Sequence, residues 1–541
     1  MPFLAAIEVD QRQTIISASD KLKEMMGGSY NIAGTVREIT ETLAASPNTR
    51  LVMPVSGATW LTSSDFSELS RILWKCRGKI VEDLDLPCTF AIVSYHDFDQ
   101  GKKELEAKVR RIKNSKSAED GTFSSPLAAC CQIQPNKHAN HWFPKRLKDD
   151  QWERRALVSA SSLQRQKRGH KPMSEFLDFP EAEKWDPPNQ LADLIASSQD
   201  QFIALIKADG DGMTQLTSTL TWSGLAEELG RGDKTIWQSE LDDPQLQYGP
   251  VSRIASDRPS AEQALAIFSN RVEKIQQEAL KRAVHHAVGG MDGNKKPFPV
   301  VPIIRAGEDT AILCRRDLAL PVALTFAEEY GQLAAADGIF NSALRAAKLE
   351  DTVALSLSIG ILFAKQGYPF EMMWELGEEL LHEAKNARAR TNSGDGFMDF
   401  FWFASSGRSE IRDIRDQSQR NTERSLITRP WSLKQARIQM ALASDLGQAA
   451  IPPGKWAQLD TVLHAPPEFS ELAFQRWLLH LSQEQRQAVQ RALEQSAKNL
   501  GLAQAAGPWL HYGSGLTTPL LEFTEILKTT QGAEVIQDVT S

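Results

Sequence analysis

Two carboxylates separated by one glycine close an apolar run at FIALIKADGDG (202–212). Residues two apart on a strand project from the same face, so Asp209 and Asp211 point one way if the run is a strand. Gly210 between them leaves the backbone open to close approach by a phosphate or a metal ion. A second acidic pair, Glu308-Asp309, lies far along the chain in VVPIIRAGEDTAILC (300–314), between two apolar runs that read as a hairpin. If the two strands share a sheet, three or four carboxylates converge at one end of it. Such a cluster is unfavourable unless a divalent cation neutralises it. Hard oxygen donors without His or Cys suit Mg2+ or Mn2+ rather than zinc. Two ions held this way activate a hydroxyl nucleophile and stabilise the leaving pyrophosphate in nucleotidyl transfer.

Blander readings stand beside this one. Gly-Glu-Asp between strands also describes the tip of an ordinary solvated hairpin. DGDG suggests a calcium loop, but Met213 and Thr214 stand where that loop needs an oxygen ligand and its glycine, and Leu220 stands where it needs a glutamate. What favours a shared metal site is the order of elements around the two turns. Periodicity predicts strand 202–208, helices near 214–229 and 260–287, strands 299–305 and 310–315, and helix 318–335. Strand 352–363, helix 369–390 and strand FMDFFWF (397–403) complete the region. That order sets both acidic turns at one rim.

The rest of the chain frames this region. FLAAIEV (3–9) reads as a strand, followed by a helix from Ile15 through Met26, the turn GGSY (27–30), and strands 50–57 and 88–95 with helix 68–81 between them. A polar, proline-punctuated stretch, 145–198, reads as an irregular connection. Beyond Thr428 the chain reads as all-helical, with Trp456, Trp477 and Trp509 at helix-core spacing. A length of 541 residues implies two to four domains. Composition is globular, at 41% hydrophobic and 24% charged, and a net charge of −8 argues against a protein that coats nucleic acid or anionic membrane. The basic stretches 102–116 and 165–171 read as solvated helix faces. No apolar run is long enough for a bilayer, MPFLAAIEVD turns acidic too soon for a signal peptide, and five cysteines suggest a reducing compartment. The expectation is a soluble, cytoplasmic, multidomain protein without a membrane partner.

Five segments in order resemble the large polymerase/cyclase-type subunit of type III CRISPR effector complexes, most like the III-B branch. IISASDKLKEMMGGSYNIAG (15–34) is similar to the helix and turn of that family's first palm domain. FIALIKADGDGM (202–213) resembles the opening strand and metal-binding turn of the second palm, and RAGEDTAIL (305–313) sits where the family has its Gly-Gly-Asp-Asp hairpin. LSLSIGILFAKQGYPF (355–370) with ELLHEAKNARAR (379–390) resembles the strand and nucleotide-facing helix of GGDEF-type cyclases, and LITRPWSLKQA (426–436) the lead into the helical C-terminal domain.

The resemblance implies an α+β fold with two ferredoxin-like, GGDEF/palm-type domains. Residues 1–144 would form a degenerate first palm, 145–200 an irregular or helical connection with a zinc-module remnant, 201–425 the second palm and 426–541 a helical C-terminal domain. It implies that Asp209, the Gly210 carbonyl and Glu308 ligate Mg2+ or Mn2+, with Asp211 and Asp309 flanking. Gly307, beside Ala306, lets the hairpin approach the nucleotide, and Lys385 contacts triphosphate, although an exposed lysine paired with Glu383 is the competing reading. ATP would be the substrate and cyclic oligoadenylate the product. Guide RNA, target RNA and the backbone and small subunits would be the partners.

The sequence departs from the family pattern in several places. Ala306 and Glu308 replace the first glycine and first aspartate of the hairpin motif, which suggests reduced activity or a changed product. The nuclease domain that often precedes the first palm is expected to be absent, and His96-Asp97 reads as a loop feature. Cys130, Cys131, His138 and His141 resemble one worn Cys pair, with no cysteine in 156–168 for the second, so a metal-free remnant is favoured over zinc. VMPVSGATW (52–60) offers no acidic turn. A scaffold subunit with a vestigial palm and a stand-alone signalling cyclase remain the alternatives.

Overall fold

The protein is described by a computed structural model covering residues 1–10, 16, 19, 21–46, 48–55, 58–84, 86–115, 129, 131, 139, 141–146, 152–168, 184–195, 201–241, 258–293, 296–306, 309–391, 393–403, 410–418, 424–505, 507–513 and 515–530.

The N-terminal part is a β-α-β-β-α-β unit: β1 (Phe3–Val9), α1 (Leu22–Ala44), β2 (Thr49–Val55), β3 (Ala58–Ser63), α2 (Phe66–Leu84) and β4 (Cys88–Ser94). Its sheet runs β2-β3-β1-β4 and every pairing is antiparallel, the ferredoxin-like order. The sequence suggested one strand at 50–57 where the chain makes a hairpin. GGSY is likewise not a turn, because α1 passes through it. A Cβ on Gly27 would lie 1.8 Å from the carbonyl oxygen of Arg165, so the glycine is there to let another backbone touch the helix. Helix α3 (Phe98–Ser115) follows and carries residues 102–115 of the basic run, where Lys102 pairs within the helix with Glu106 at 2.6 Å and Lys113 reaches Glu8 of β1 at 2.5 Å.

The connection is more ordered than its polarity predicts. Strands β5 (His141–Arg146) and β6 (Trp152–Val158) pair as a hairpin, and α4 (Ala160–Arg168) packs on α1. Arg165 is not a solvated cation. It is fully buried, with Nη2 3.9 Å from the equally buried Glu24 and 3.2 Å from the hydroxyl of Ser162.

The central part is built on β7 (Phe202–Asp211), which is buried along most of its length, as a central strand that reads as one apolar run should be. Helices α5 (Met213–Thr219), α6 (Trp222–Arg231), α7 (Lys234–Leu241) and α8 (Ala261–Val288) lead to the hairpin β8 (Val300–Ala306) and β9 (Asp309–Arg315). After α9 (Arg316–Ala336) and α10 (Gly338–Ala347) come β10 (Ser356–Lys365), α11 (Phe370–Thr391), β11 (Phe397–Phe403) and α12 (Ile411–Ser418). The six-stranded sheet is ordered β13-β11-β10-β7-β9-β8, where β13 is Trp431–Ser432. Its β10-β7-β9-β8 portion repeats the ferredoxin-like order, and β11 adds in parallel beside β10.

The C-terminal part holds α13 (Leu433–Gln448), α14 (Pro453–Leu463), α15 (Pro467–Leu479), α16 (Gln483–Leu500) and α17 (Leu520–Thr530). A small sheet of two- and three-residue strands accompanies them, β12 (Arg424–Ser425), β14 (Ala503–Gln504), β15 (Leu510–Tyr512) and β16 (Gly515–Thr517), too short to leave a pattern in the sequence. Trp456, Trp477 and Trp509 are all buried. One apolar core runs from Leu4 in β1 to Ile526 in α17. Among the described residues no helix is long and apolar enough to cross a membrane.

Candidate functional site

Along β7, Lys207, Asp209 and Asp211 share one face because strand side chains alternate. Pairing with β10 sets them opposite Gly360, Ser358 and Ser356. On the other edge Lys207 faces Ala311 and Ala208 faces Thr310. The next residues after that last pairing are Asp209 and Asp309, and both carboxylates act on the Lys207 ammonium. The hairpin itself closes with Ala306 opposite Asp309. Asp209 and Asp309 therefore lie at the same end of the sheet on neighbouring strands, and Asp309 is exposed. Gly307 and Glu308 lie outside the described residues, and Ala306 is described in its backbone alone.

Helix α11 covers this face. A Cβ on Gly360 would lie 2.4 Å from the backbone nitrogen of Leu381 and 2.8 Å from the carbonyl oxygen of Gly377, so the helix rests directly on the strand. Three ionic contacts join the two elements in step. Glu378 binds the ammonium of Lys207, Lys385 binds the carboxylate of Asp209, and Arg388 Nε stands 3.6 Å from Asp211 Oδ2. From 207 to 211 the strand advances about 13 Å and from 378 to 388 the helix advances about 15 Å, so the two sets keep pace.

The two aspartates of the DGD turn have different surroundings. Asp211 is buried and accepts hydrogen bonds from Ser356 Oγ at 3.0 Å and Ser358 Oγ at 2.9 and 3.0 Å. Burial pushes its carboxyl above the usual range, opposed by Arg388, the two serines and Lys385. Its oxygens are committed to holding the end of β7 against β10. Asp209 is 24% exposed and keeps a carboxylate at the surface. Gly212 follows at φ 77°, starting α5 in a left-handed conformation, and a Cβ there would strike Val353 at 2.7 Å. Lys207 is buried under α11 with its ammonium 3.7 Å from the centre of the Trp374 ring. Burial lowers its pKa, opposed by Glu378, Asp309 and Asp209.

Among the described residues no group of three His, Cys, Asp or Glu converges as a metal centre. The described donors are the carboxylates of Asp209 and Asp309 and the Gly210 carbonyl, a hard all-oxygen set that fits Mg2+ or Mn2+. The Lys385 ammonium on Asp209 already stands in for a cation there. Glu383 bonds Arg412 instead, at 2.7 Å.

Other candidates separate. Cys131 is buried with its thiol on the Ser162 hydroxyl at 3.6 Å, His141 is exposed on β5, and Cys130 and His138 lie outside the described residues. Asp97 accepts from the Gln100 backbone at 2.9 Å at the start of α3. Sequence reasoning passed over Lys207, Ser356, Ser358 and Arg388. Lys207 stands two before Asp209 and Arg388 three after Lys385, spacings that place each on the same face as its neighbour.

Residues 202–393 match the family described as Cas10/Cmr2, second palm domain. Over this segment the chain is similar to a Cas10/Cmr2 second palm. The match takes in β7 through α11, and with them Lys207, Asp209, Asp211, Asp309, Lys385 and Arg388. No curated protein matches the chain. Solved structures similar to it include the Csm1–Csm4 cassette in complex with cA4, at 14% identity and TM-score 0.38, covering 71% of this chain and 53% of that one. The Csm1–Csm4 cassette in complex with cA3 is 13% identical with TM-score 0.44, covering 88% and 64%. Csm1 in T. onnurineus is 13% identical with TM-score 0.37, covering 73% and 52%. The chain thus spans less than two thirds of the length of these structures.

Proposed function

We propose that this chain is the large subunit of a type III CRISPR RNA-guided complex, acting in the cytoplasm, and that its second palm performs nucleotidyl transfer on ATP when target RNA pairs with the guide. The observation that carries the reading is that Asp209 and Asp309 stand at the same end of neighbouring strands, with Lys385 on Asp209, inside the segment matched to the second palm. Guide RNA, target RNA and the backbone and small subunits are the partners in this reading. The divisions at 144, 200 and 425 are retained as its domain boundaries.

In this reading Asp209, the Gly210 carbonyl, Glu308 and Asp309 would hold Mg2+ or Mn2+. When bound, the ion would lower the barrier to attack of a 3′-hydroxyl on an α-phosphate and offset charge on the leaving pyrophosphate. The chain's own groups supply the rest. Asp211 fixes the turn from below through Ser356 and Ser358. The backbone at Ala306 and Gly307 would approach the nucleotide, and Lys385 would offer a compact ammonium to the triphosphate.

The purified complex with target RNA, ATP and Mn2+ should release pyrophosphate and adenylate products, and a Glu308→Ala, Asp309→Ala double variant should not. Products that persist unchanged in the double variant would overturn the site. A silent, organising subunit is the second reading, favoured by the commitment of Asp211 to its serines and of Asp209 to Lys385. Failure of the intact complex to release pyrophosphate from ATP would decide for it.

A further inference from the structure

We infer that Lys385 is a displaceable counter-cation, which neutralises Asp209 in the resting chain and, once released, couples cation binding at Asp209 to triphosphate binding. The inference rests on the reading of the site given above and adds an order of exchange to it.

The three contacts between β7 and α11 are not equally open. The Asp211 side chain is 3% exposed and bonded to two serines besides Arg388. The Lys207 side chain is 5% exposed and packed on Trp374. In the middle contact Asp209 and Lys385 are 24% and 33% exposed, and among the described residues neither side chain makes another hydrogen bond. The middle contact is the one that can open without unpacking the interior.

Asp209 can give its oxygens to the ammonium or to a divalent cation, but like charges a few ångströms apart repel strongly where water is partly excluded. The helix does not have to move for the exchange. Its backbone is fixed by the approach of Leu381 to Gly360, whereas the lysine swings on a flexible four-carbon stem. A released ammonium stays on the face that carries Asp209 and Asp309, where a bound triphosphate would present its oxygens. Coupling of this kind is reciprocal: the factor by which nucleotide tightens the ion equals the factor by which the ion tightens nucleotide.

The test measures Mn2+ binding to the full chain by electron paramagnetic resonance, with and without a non-hydrolysable ATP analogue. Lys385→Met should bind Mn2+ alone about two- to fivefold more tightly than the unaltered chain, the scale expected for losing a partly exposed ion pair. In the same variant the tightening of Mn2+ by the analogue should shrink towards unity. Lys385→Arg keeps the charge and should keep the weak binding of Mn2+ alone, which separates loss of charge from loss of folding. Equal or weaker Mn2+ binding by Lys385→Met, with Asp209→Asn still abolishing it, would overturn the counter-cation role and leave the site intact. Mn2+ binding unaffected by Asp209→Asn would overturn the site reading itself.

Discussion

Arg429 and Glu522, 93 residues apart, meet in the interior with both side chains fully buried, Nε 3.1 Å from Oε1. Thr428 and the backbone of Arg429 add three hydrogen bonds to the same carboxylate. Arg429 also donates to Glu525 at 2.6 Å and to the carbonyl of Phe400 at 2.7 Å, an oxygen it shares with Arg415, which itself pairs with Asp399. The last described helix is thereby bonded to strand β11 of the palm sheet through buried charge.

This network makes stability depend on pH. Burial raises the Glu522 carboxyl from 4.5 to about 7, against the pull of Arg429 and the hydrogen bonds. A carboxyl raised in the folded state holds a proton that the unfolded chain has already lost. Between about pH 4.5 and 7 stability therefore falls as the pH rises, and the deficit is complete above 7. Glu522→Gln removes that titration. Melting curves of the variant and the unaltered chain should diverge across this window, with the unaltered chain losing more from about pH 5 to 8. Parallel curves would show that Glu522 is ionised throughout.

The two aspartates of the DGD turn should part in mutagenesis. Asp211→Ala leaves Ser356, Ser358 and Arg388 facing an empty buried site, and unfolding by urea should show a loss of about 2–4 kcal/mol. Asp209→Ala frees a partly exposed lysine and should change stability by less than about 1 kcal/mol while abolishing pyrophosphate release. A reversed pattern would exchange their roles.

Gly360→Ala tests the seat of α11. Its methyl would meet backbone atoms at 2.4 and 2.8 Å, which cannot rotate aside as a side chain can. We expect a loss of about 1–3 kcal/mol in denaturant unfolding, with weakened nucleotide binding because Lys385 and Arg388 shift with the helix.

Asp99 links the two sheets' halves of the molecule. From α3 it accepts from the backbone nitrogens of Trp222 at 2.6 Å and Ser223 at 3.1 Å, and from the Ser223 hydroxyl at 2.6 Å, at the start of α6. Asp99→Ala should cost about 0.5–2 kcal/mol, as loss of a helix N-terminal acceptor does, and hydrogen exchange at residues 222–224 should rise.

Legibility followed burial. β11 was read to the residue because FMDFFWF is apolar at every position but Asp399, and β8, β9 and α11 fell within a residue or two of their expected ends. The GGSY error came from reading glycine by its local preference, when the contact demanding it, the Arg165 carbonyl, lies far along the chain. The β5–β6 hairpin was hidden by Pro144 and by a polar composition that weakens any alternation. In the candidate site the acidic turns announced themselves, whereas Ser356 and Ser358 gained meaning only from pairing with β7, 145 residues away. Glu308 and Gly307, on which the hairpin argument began, belong to the segment outside the described residues.

The charges that join β7 and α11 also carry an orientation code. Read in chain order, the strand presents plus, minus, minus at 207, 209 and 211, and the helix answers minus, plus, plus at 378, 385 and 388. Were the helix laid down in the opposite sense, Arg388 would confront Lys207 and Glu378 would confront Asp211. Two of three encounters would then be repulsive, so the same side chains that dress the rim also reject the reversed packing of their own scaffold.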